Sequence, residues 1–428
     1  MGTRTRKYLA KRDKHGARHY KGNDKVVFES GKGIYLRDVE GKVYIDAAAG
    51  YSSVNSGHNH PKICEVGRKL YEVDKDGWGP VCVVPNAFLT VAQADFLEYS
   101  CEFLGVDRGL ATNGGAEGME TALKLVLKWG YAKKKIPADK ALIVMFEGNF
   151  HGRTVSLVAG SSESKYKKHF GPYAGNIITI PYDDIEALEE LLKKKGKHVA
   201  GIIIEPIQGE GGVRIPKDGY LAECYGLCKR HNVAFCADEI QTGLGRAGAL
   251  LACSYEEVEP DIFVLAKSLG AGKNAVAMVF AKNEFMCFEP GEHGSTHGGN
   301  TAAMTLALAV LEIIKEEKLC EKSKHLGGYL IEKIADELAT VELRKYWKDI
   351  RGRGLMIGIE LAKGVDSEEV VNLLLEAGVM TKDAHGVIRI TPPLVITKPE
   401  CGMLAQRIGD AFRALARAKK ACVCKEKA

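Results

Sequence analysis

Two short stretches decide the fold: VAFCADE at residues 233–239 and DIFVLAK at residues 261–267. Each contains an apolar run that ends in a charged side chain. Such runs, rich in β-branched and aromatic residues, are typical of strands that are buried on both faces of a parallel sheet. Because open α/β sheets bind ligands at the carboxyl ends of their strands, Asp238 and Lys267 are predicted to lie at one functional edge.

Similar apolar runs on either side extend this sheet. Between them lie amphipathic helices, such as the one in which Met119, Ala122, Leu123, Val126 and Leu127 recur at helical spacing. Strands that alternate with helices predict βαβ units and therefore an α/β fold with a mostly parallel sheet flanked by helices. The predicted strands are residues 141–146, 177–180, 199–205, 233–237, 261–265 and 275–281.

The two ends of the chain have a different pattern. Residues 34–46 read as a small hairpin, and residues 301–347 are almost entirely helical. Strands at 355–361 and 387–391 then alternate with helices at 367–377 and 399–420. We therefore predict an N-terminal segment (1–51) that packs with the small domain, a large domain (52–310) and a smaller α+β C-terminal domain (311–428).

Composition excludes several classes of protein. The 428 residues are 46% apolar and 27% charged, which is typical of a globular chain and excludes a disordered one. The net charge of +5 is too small for a nucleic-acid-binding surface, and no apolar stretch reaches the roughly 18–20 residues that cross a bilayer. We expect neither a nucleic-acid nor a membrane partner.

The cysteines predict a reducing environment. Twelve cysteines occur without a CxxC pair or the spacing of a zinc site. A disulfide framework belongs to short secreted chains. We therefore expect free thiols, no metal site and a cytoplasmic location.

One motif points to a different cofactor. GLGRAG at residues 243–248 fits the dinucleotide-binding pattern GxGxxG. That pattern acts when its glycines form the tight turn from a strand into a helix. Here residues 238–241 separate the motif from the strand, and a weak helix candidate follows it. The dinucleotide interpretation is therefore disfavoured.

Three other features together suggest an aldehyde cofactor with a phosphate group. A lysine with a lowered pKa can form a Schiff base, as Lys267 could, and a carboxylate such as Asp238 can hold a pyridine nitrogen protonated. The loop NGGA at residues 113–116 precedes a helix, whose first N–H groups favour an anion. Taken singly, each feature also fits a solvated charge or a helix cap.

A set of longer motifs resembles the class III family of pyridoxal-phosphate-dependent aminotransferases over nearly the whole chain. The resemblance implies a fold-type-I transferase, with pyridoxal 5'-phosphate as cofactor. The motifs are GKGIYLRDVEGKVYID (31–46), GHNHPKI (57–63), GNFHGRT (148–154), EPIQGEGG (205–212), ADEIQTGLGR (237–246), the Lys267 segment and GEHGSTHGGN (291–300).

The resemblance implies specific roles around the cofactor ring. Lys267 would form the internal aldimine and later shuttle the proton. Asp238 would bind the pyridine nitrogen, and Gln241 would contact the ring oxygen. Phe150 and Ile240 would hold the two faces of the ring.

The resemblance also implies a phosphate site that two subunits share. Gly115 and Ala116 would offer backbone N–H groups to the phosphate. Thr296, preceded by Ser295, would reach the phosphate of the other subunit, so the protein is expected to be a homodimer with active sites at the subunit interface. The loop NGGAEG lacks a hydroxyl residue that the family often has, which would leave the phosphate more dependent on backbone N–H groups.

The narrower resemblance is to family members that use ornithine. It implies that Arg153 and Tyr20 hold the α-carboxylate and α-amino group, and that Tyr51 shapes the pocket. Glu210 would mask Arg389 while a diamine is bound and release it for 2-oxoglutarate. The segment after Tyr20 is about one residue longer than the family spacing, which makes the role of Tyr20 less secure than that of Lys267.

The expected reaction moves the δ-amino group of L-ornithine to 2-oxoglutarate and gives glutamate 5-semialdehyde and L-glutamate. Three alternatives stay open. One is an acetylornithine, 4-aminobutyrate or lysine ω-aminotransferase. Another is a pyridoxal-phosphate-dependent aminomutase, which returns the amino group to the same molecule. The third is a cofactor-binding scaffold without turnover, against which intact Lys267, Asp238 and Arg153 argue.

Overall fold

The computed structural model describes residues 1–19, 23–85 and 87–426. Strands and helices alternate through most of this length. The strands are β1 Phe28–Lys32, β2 Tyr35–Asp38, β3 Val43–Asp46, β4 Arg108–Thr112, β5 Leu142–Phe146, β6 Ile177–Ile180, β7 Val199–Ile204, β8 Ala234–Asp238, β9 Ile262–Leu265, β10 Ala277–Ala281, β11 Trp347–Arg353, β12 Met356–Leu361, β13 Val379–Met380, β14 Lys382–Ala384 and β15 Val387–Ile390.

Helices cover both faces of the central strands and dominate the second half of the chain. The α-helices are α1 Thr3–His15, α2 Ala49–Ser52, α3 Pro61–Lys69, α4 Val91–Leu104, α5 Gly115–Ala132, α6 Val155–Ala159, α7 Ser164–Lys167, α8 Ile185–Lys195, α9 Tyr220–Arg230, α10 Thr301–Glu316, α11 Leu319–Glu337, α12 Val341–Arg344, α13 Ser367–Glu376 and α14 Lys398–Glu426.

A seven-stranded sheet forms the centre, in the order β4-β10-β9-β8-β7-β5-β6. All its neighbours pair in parallel except β10, which is antiparallel to both β4 and β9. The α/β class and the mostly parallel sheet are confirmed, and the six predicted strands lie within two residues of their expected ends. Strand β4 was not predicted, because RGLAT has no β-branched run and is only partly buried.

The inner strands of the central sheet are buried on both faces, as their sequences indicated. Along β5, Ile143 and Met145 belong to one apolar cluster, whereas Val144 and Phe146 belong to another. Successive side chains of a strand point to opposite faces, so each face has its own core. Helix α5 packs on the first face, and α9 and α10 pack on the second.

Two smaller sheets flank the central one. The predicted hairpin is confirmed: β2 and β3 pair antiparallel, and together with β1 and β13 they form one sheet. The other sheet has the order β11-β12-β15-β14 and is antiparallel throughout. Strand β11 was not predicted. The division into parts at residues 51 and 310 remains a prediction.

The glycine-rich motif at residues 243–248 is a turn that anchors the other parts of the chain. Arg246 is fully buried, and its guanidinium donates to Leu355 O at 2.8 Å, to Pro392 O at 2.7 Å and to Asn55 Oδ1 at 2.7 Å. The next helical segment is a short 3₁₀ helix at Ala252–Glu256. A dinucleotide site needs a strand, the glycine turn and a helix in direct succession, so this geometry does not form one.

Among the described residues, no helix has both the length and the apolar character needed to cross a membrane. The ten cysteines between residues 64 and 401 are free thiols.

Candidate active site

The carboxyl edge of the central sheet carries the two residues that the sequence singled out. Asp238 is the last residue of β8, and Lys267 begins a 3₁₀ turn two residues after β9. Lys267 has φ 46°, in the left-handed region that non-glycine residues rarely adopt. Strained backbone of this kind clusters at functional sites, because the surrounding structure must hold it in place.

Asp238 is tied to a buried histidine. Its Oδ2 lies 2.7 Å from Nδ1 of His151, and its Oδ1 accepts from the N–H of Ile240 at 3.1 Å. Burial alone would lower the pKa of His151, but the hydrogen bond to Asp238 and its negative charge raise it. His151 therefore fixes the orientation of the carboxylate and stabilises its ionised form.

The buried surroundings of Lys267 favour the neutral form of its amine. Burial lowers the pKa of Lys267, although the negative charges of Glu210, Asp238 and Glu205 oppose this effect. A lowered pKa increases the fraction of neutral amine, which is the nucleophilic and basic form.

An anion cradle lies at the start of α5. The first N–H groups of a helix, here those of Gly115 and Ala116, have no partner within the helix. Asn113 donates its N–H to Glu117 Oε2 at 2.9 Å and its side-chain amide to Ser295 Oγ at 2.8 Å. Burial would raise the pKa of Glu117, but hydrogen bonds from Ser295 and Asn113 lower it. None of these contacts uses the N–H groups of Gly115 or Ala116.

Ile240, one of the residues expected around a ring, lies between the start of α5 and Asp238. A Cβ atom on Gly115 would lie only 3.2 Å from Cδ1 of Ile240, so the glycine allows the helix start to approach Ile240 closely. Gln241 donates to Tyr51 O at 3.5 Å. A Cβ on Gly209 would stand 1.4 Å from Gln241 Oε1, so a larger residue there would displace the Gln241 side chain.

The predicted substrate corner lies between the central sheet and β15. Buried Arg389 on β15 donates through Nη1 to Oε1 of Glu210, and its guanidinium lies 5.3 Å from the centre of the Tyr51 ring. Arg153 is exposed and stacks on the Tyr166 ring at 4.2 Å. Tyr20 lies outside the described residues. Thr296 is exposed and lies in the loop that precedes α10.

Comparison with known proteins decides the family. The family model described as Aminotransferase class-III matches residues 17–412. The chain belongs to the class III aminotransferase family. The ornithine aminotransferase of Halalkalibacterium halodurans is 41% identical over 95% of this chain and 98% of its own length.

Solved structures of family members have the same fold. The ornithine aminotransferase of Toxoplasma gondii superposes with a TM-score of 0.92 at 37% identity, covering 98% of this chain and 97% of that one. The acetylornithine aminotransferase of Elizabethkingia anophelis gives a TM-score of 0.86 at 38% identity, covering 96% of this chain and 99% of that one. The fold-type-I architecture is thereby confirmed.

Aminotransferases of this family use pyridoxal phosphate, and the residues present fit that cofactor. The cradle at Gly115 and Ala116 suits a phosphate, because its helix dipole and N–H groups favour an anion. Asp238 offers a carboxylate to a protonated ring nitrogen, and Lys267 offers an amine to an aldehyde. Nε2 of His151 is buried and has no hydrogen-bond partner among the described residues, which leaves it free to make one.

Sequence reasoning missed two buried residues of this site. His151 was quoted within a motif but received no role, and its pairing with Asp238 joins positions that are 87 residues apart. Glu205 was also only part of a motif. Its signal was available in the sequence, because a glutamate directly after six fully buried strand residues is rare unless it has partners.

Proposed function

We propose that this chain transfers the δ-amino group of L-ornithine to 2-oxoglutarate and gives glutamate 5-semialdehyde and L-glutamate. The ion pair between Glu210 and Arg389, next to Tyr51, is the observation that carries the proposal. Ornithine has a cationic side chain and no second carboxylate, so an uncovered Arg389 would repel it. Glu210 neutralises that charge.

The second substrate needs the same arginine uncovered. 2-Oxoglutarate has two carboxylates, and Arg153 can hold only one of them. An arginine fork binds a carboxylate in bidentate fashion, so Arg389 suits the other once Glu210 swings away. Because Glu210 is partly exposed and Arg389 is buried, the glutamate is the partner that can move.

The remaining residues would position the reacting groups. Bound pyridoxal phosphate supplies an electron sink for the bond that breaks next to the amine. Asp238 would hold a proton on the pyridine nitrogen, and His151 would keep its carboxylate in place. Phe150 and Ile240 would hold the ring faces, and Nζ of Lys267 would remove and return the substrate proton.

Further groups would place the cofactor and the amino donor. Backbone N–H groups of Gly115 and Ala116 would bind the phosphate, and Gln241 would contact the ring oxygen. Arg153 would hold the α-carboxylate of ornithine in the first half-reaction. The part of Tyr20 in binding the α-amino group rests on the family resemblance alone.

We also propose that two copies of the chain form the working enzyme. Ser295 and Thr296 line a surface cavity together with Val83, Val84 and Pro85. Large apolar side chains are exposed in the surrounding segment, and an apolar patch of this kind favours a protein interface. A second copy would cover it and bring Thr296 to the partner's phosphate cradle. The exposed side chains are Tyr71, Val73, Trp78, Val81, Val83, Phe88, Leu89 and Val91.

Sedimentation of the purified protein tests the dimer. A stable particle of twice the chain mass at micromolar concentration is expected, and a fully active monomer would contradict the proposal. We further propose a cytoplasmic location, which the free thiols support, and cell fractionation would test it.

A panel of amino donors with 2-oxoglutarate tests the reaction. Ornithine, N-acetylornithine and 4-aminobutyrate would be compared by kcat/KM. The proposal expects ornithine to be preferred and glutamate to appear in equal amount to the donor consumed. A preference for N-acetylornithine or 4-aminobutyrate would replace the proposed donor, and a product without net transfer to 2-oxoglutarate would indicate an aminomutase.

A further inference from the structure

Glu205 joins two loops that the reaction needs. It follows β7 directly and is buried. Its Oε1 accepts from the N–H of Phe150 at 2.8 Å, and its Oε2 accepts from the N–H of Gly209 at 3.4 Å. One carboxylate thus ties the loop after β5 to the turn after β7.

The two loops have different tasks in the proposed function. The loop after β5 carries Phe150 and His151, which would hold the cofactor ring and Asp238. The turn after β7 carries Gly209 and, next to it, Glu210, which covers Arg389. The backbone of Glu205 is itself fixed, because Tyr182 donates to its carbonyl oxygen at 3.1 Å.

We propose that Glu205 is a positioning residue that couples the Phe150 loop to the Glu210 turn and thereby sets the selectivity between donors with one carboxylate and donors with two. This inference rests on the proposed function of Glu210 and Arg389. Each loop uses one oxygen of the Glu205 carboxyl group, so the link between the loops needs both oxygens as hydrogen-bond acceptors. A glutamine at this position has a single acceptor oxygen, and its NH₂ group would face the other N–H.

The electrostatic surroundings of Glu205 agree with a role at the site. Burial raises its pKa to about 7, while His151 lowers this pKa, Asp238 raises it and Lys267 lowers it. Charged groups from three separate strand ends therefore act on this one carboxyl group. A substitution at Glu205 that removes its charge therefore changes the electrostatic surroundings of His151, Asp238 and Lys267.

A matched control lies on the neighbouring strand. Glu239 is also buried, also has a pKa raised by burial, and also accepts a backbone N–H, that of Cys253 at 2.9 Å. Its second oxygen accepts from Thr242, so it bridges neither the Phe150 loop nor the Glu210 turn. Glu239→Gln thus repeats the chemistry of Glu205→Gln without the coupling.

The first experiment is hydrogen exchange on the cofactor-free chain. Glu205→Gln is expected to speed exchange in peptides containing Phe150 or Gly209 by about tenfold, the size expected for one buried hydrogen bond. Glu239→Gln should leave both peptides as in the parent. Equal exchange in the parent and in Glu205→Gln would overturn the proposed link between the loops.

The second experiment measures selectivity in single half-reactions with ornithine and with glutamate as donors. Glu205→Gln should shift the ratio of their rates towards glutamate by about tenfold, and Glu239→Gln should leave the ratio unchanged. If the parent reacts with ornithine but Glu205→Gln slows both donors equally, the inference is wrong. If the parent does not react with ornithine at all, the proposed function fails instead.

Discussion

The floor of the site and its substrate corner are held in different ways. The floor consists of Asp238, His151 and Lys267, all anchored at the ends of buried strands or to each other. The corner consists of Glu210, Arg389 and their neighbours, and an ion pair joins the two named residues. In the proposed function, the floor keeps one arrangement, whereas the corner alternates between a covered and an uncovered Arg389.

This difference predicts how each region responds to change. Substitutions in the floor should slow the reactions of all substrates by similar factors, because both half-reactions use the same chemistry. Substitutions in the corner should change the ratio of the rates at which different substrates react.

Replacing Lys267 removes the group on which both half-reactions depend. Lys267→Ala is expected to lower turnover by about 10⁴-fold with every donor, because the proton carrier is lost. Reduction with borohydride followed by peptide mapping should label Lys267 in the parent chain and give no label in the variant. Labelling of a different lysine in the parent would contradict the assignment.

Asp238→Asn tests the other half of the floor. The amide cannot stabilise a protonated ring nitrogen as a carboxylate does, so turnover should fall by about 10³-fold, a loss of several kcal/mol in transition-state stabilisation. The ornithine and glutamate half-reactions should fall by similar factors. Near-normal turnover would show that Asp238 does not have the proposed role.

Arg389→Ala tests the corner and should separate the substrates. The variant loses the charge-assisted hydrogen bonds between Arg389 and the second carboxylate of 2-oxoglutarate. The 2-oxoglutarate half-reaction is therefore expected to slow by about 10²-fold. The ornithine half-reaction should change far less, because ornithine does not use this arginine. Rapid-mixing absorbance measurements on each half-reaction would check it, and equal losses in both would mean that the pair only supports the fold.

The smallest expected effect is on the pH dependence of stability. Burial raises the pKa of Glu205 from 4.5 to about 7, so between these values the folded chain keeps a proton that the unfolded chain loses. The proton on Glu205 therefore stabilises the folded chain fully below pH 4.5, and this contribution is lost as pH rises through about 7. Between those pH values, Tm of the parent should fall relative to Glu205→Gln by about 1–3 °C. A parallel pH dependence of the two chains would contradict the shift.

Much of the fold could be predicted because its centre has a simple physical signature. Strands such as β7 are buried on both faces, so their apolar runs are visible in the sequence. Strand β11, WKDIRGR, is mixed in polarity and only partly buried, and its pairing with β12 comes from tertiary context. Strand β14 has three residues, too few for any periodicity.

The candidate site divides in the same way. Asp238 and Lys267 were found because charge follows an apolar strand at each position. The bond between His151 and Asp238, and the bridge made by Glu205, depend on which strands become neighbours in the sheet. No local pattern encodes that order. The burial of Arg246, which joins distant segments, could not be foreseen for the same reason.

The half-reactions of Glu210→Ala show whether Glu210 selects between the two substrates. The rates at which the cofactor-loaded enzyme reacts with ornithine and with glutamate would be measured separately in single turnovers, for the parent and the variant. With Arg389 permanently uncovered, glutamate should become a better donor and ornithine a poorer one, so that their rate ratio shifts by about tenfold or more towards glutamate. An unchanged ratio would contradict the account, because Glu210 would then not select between the two substrates.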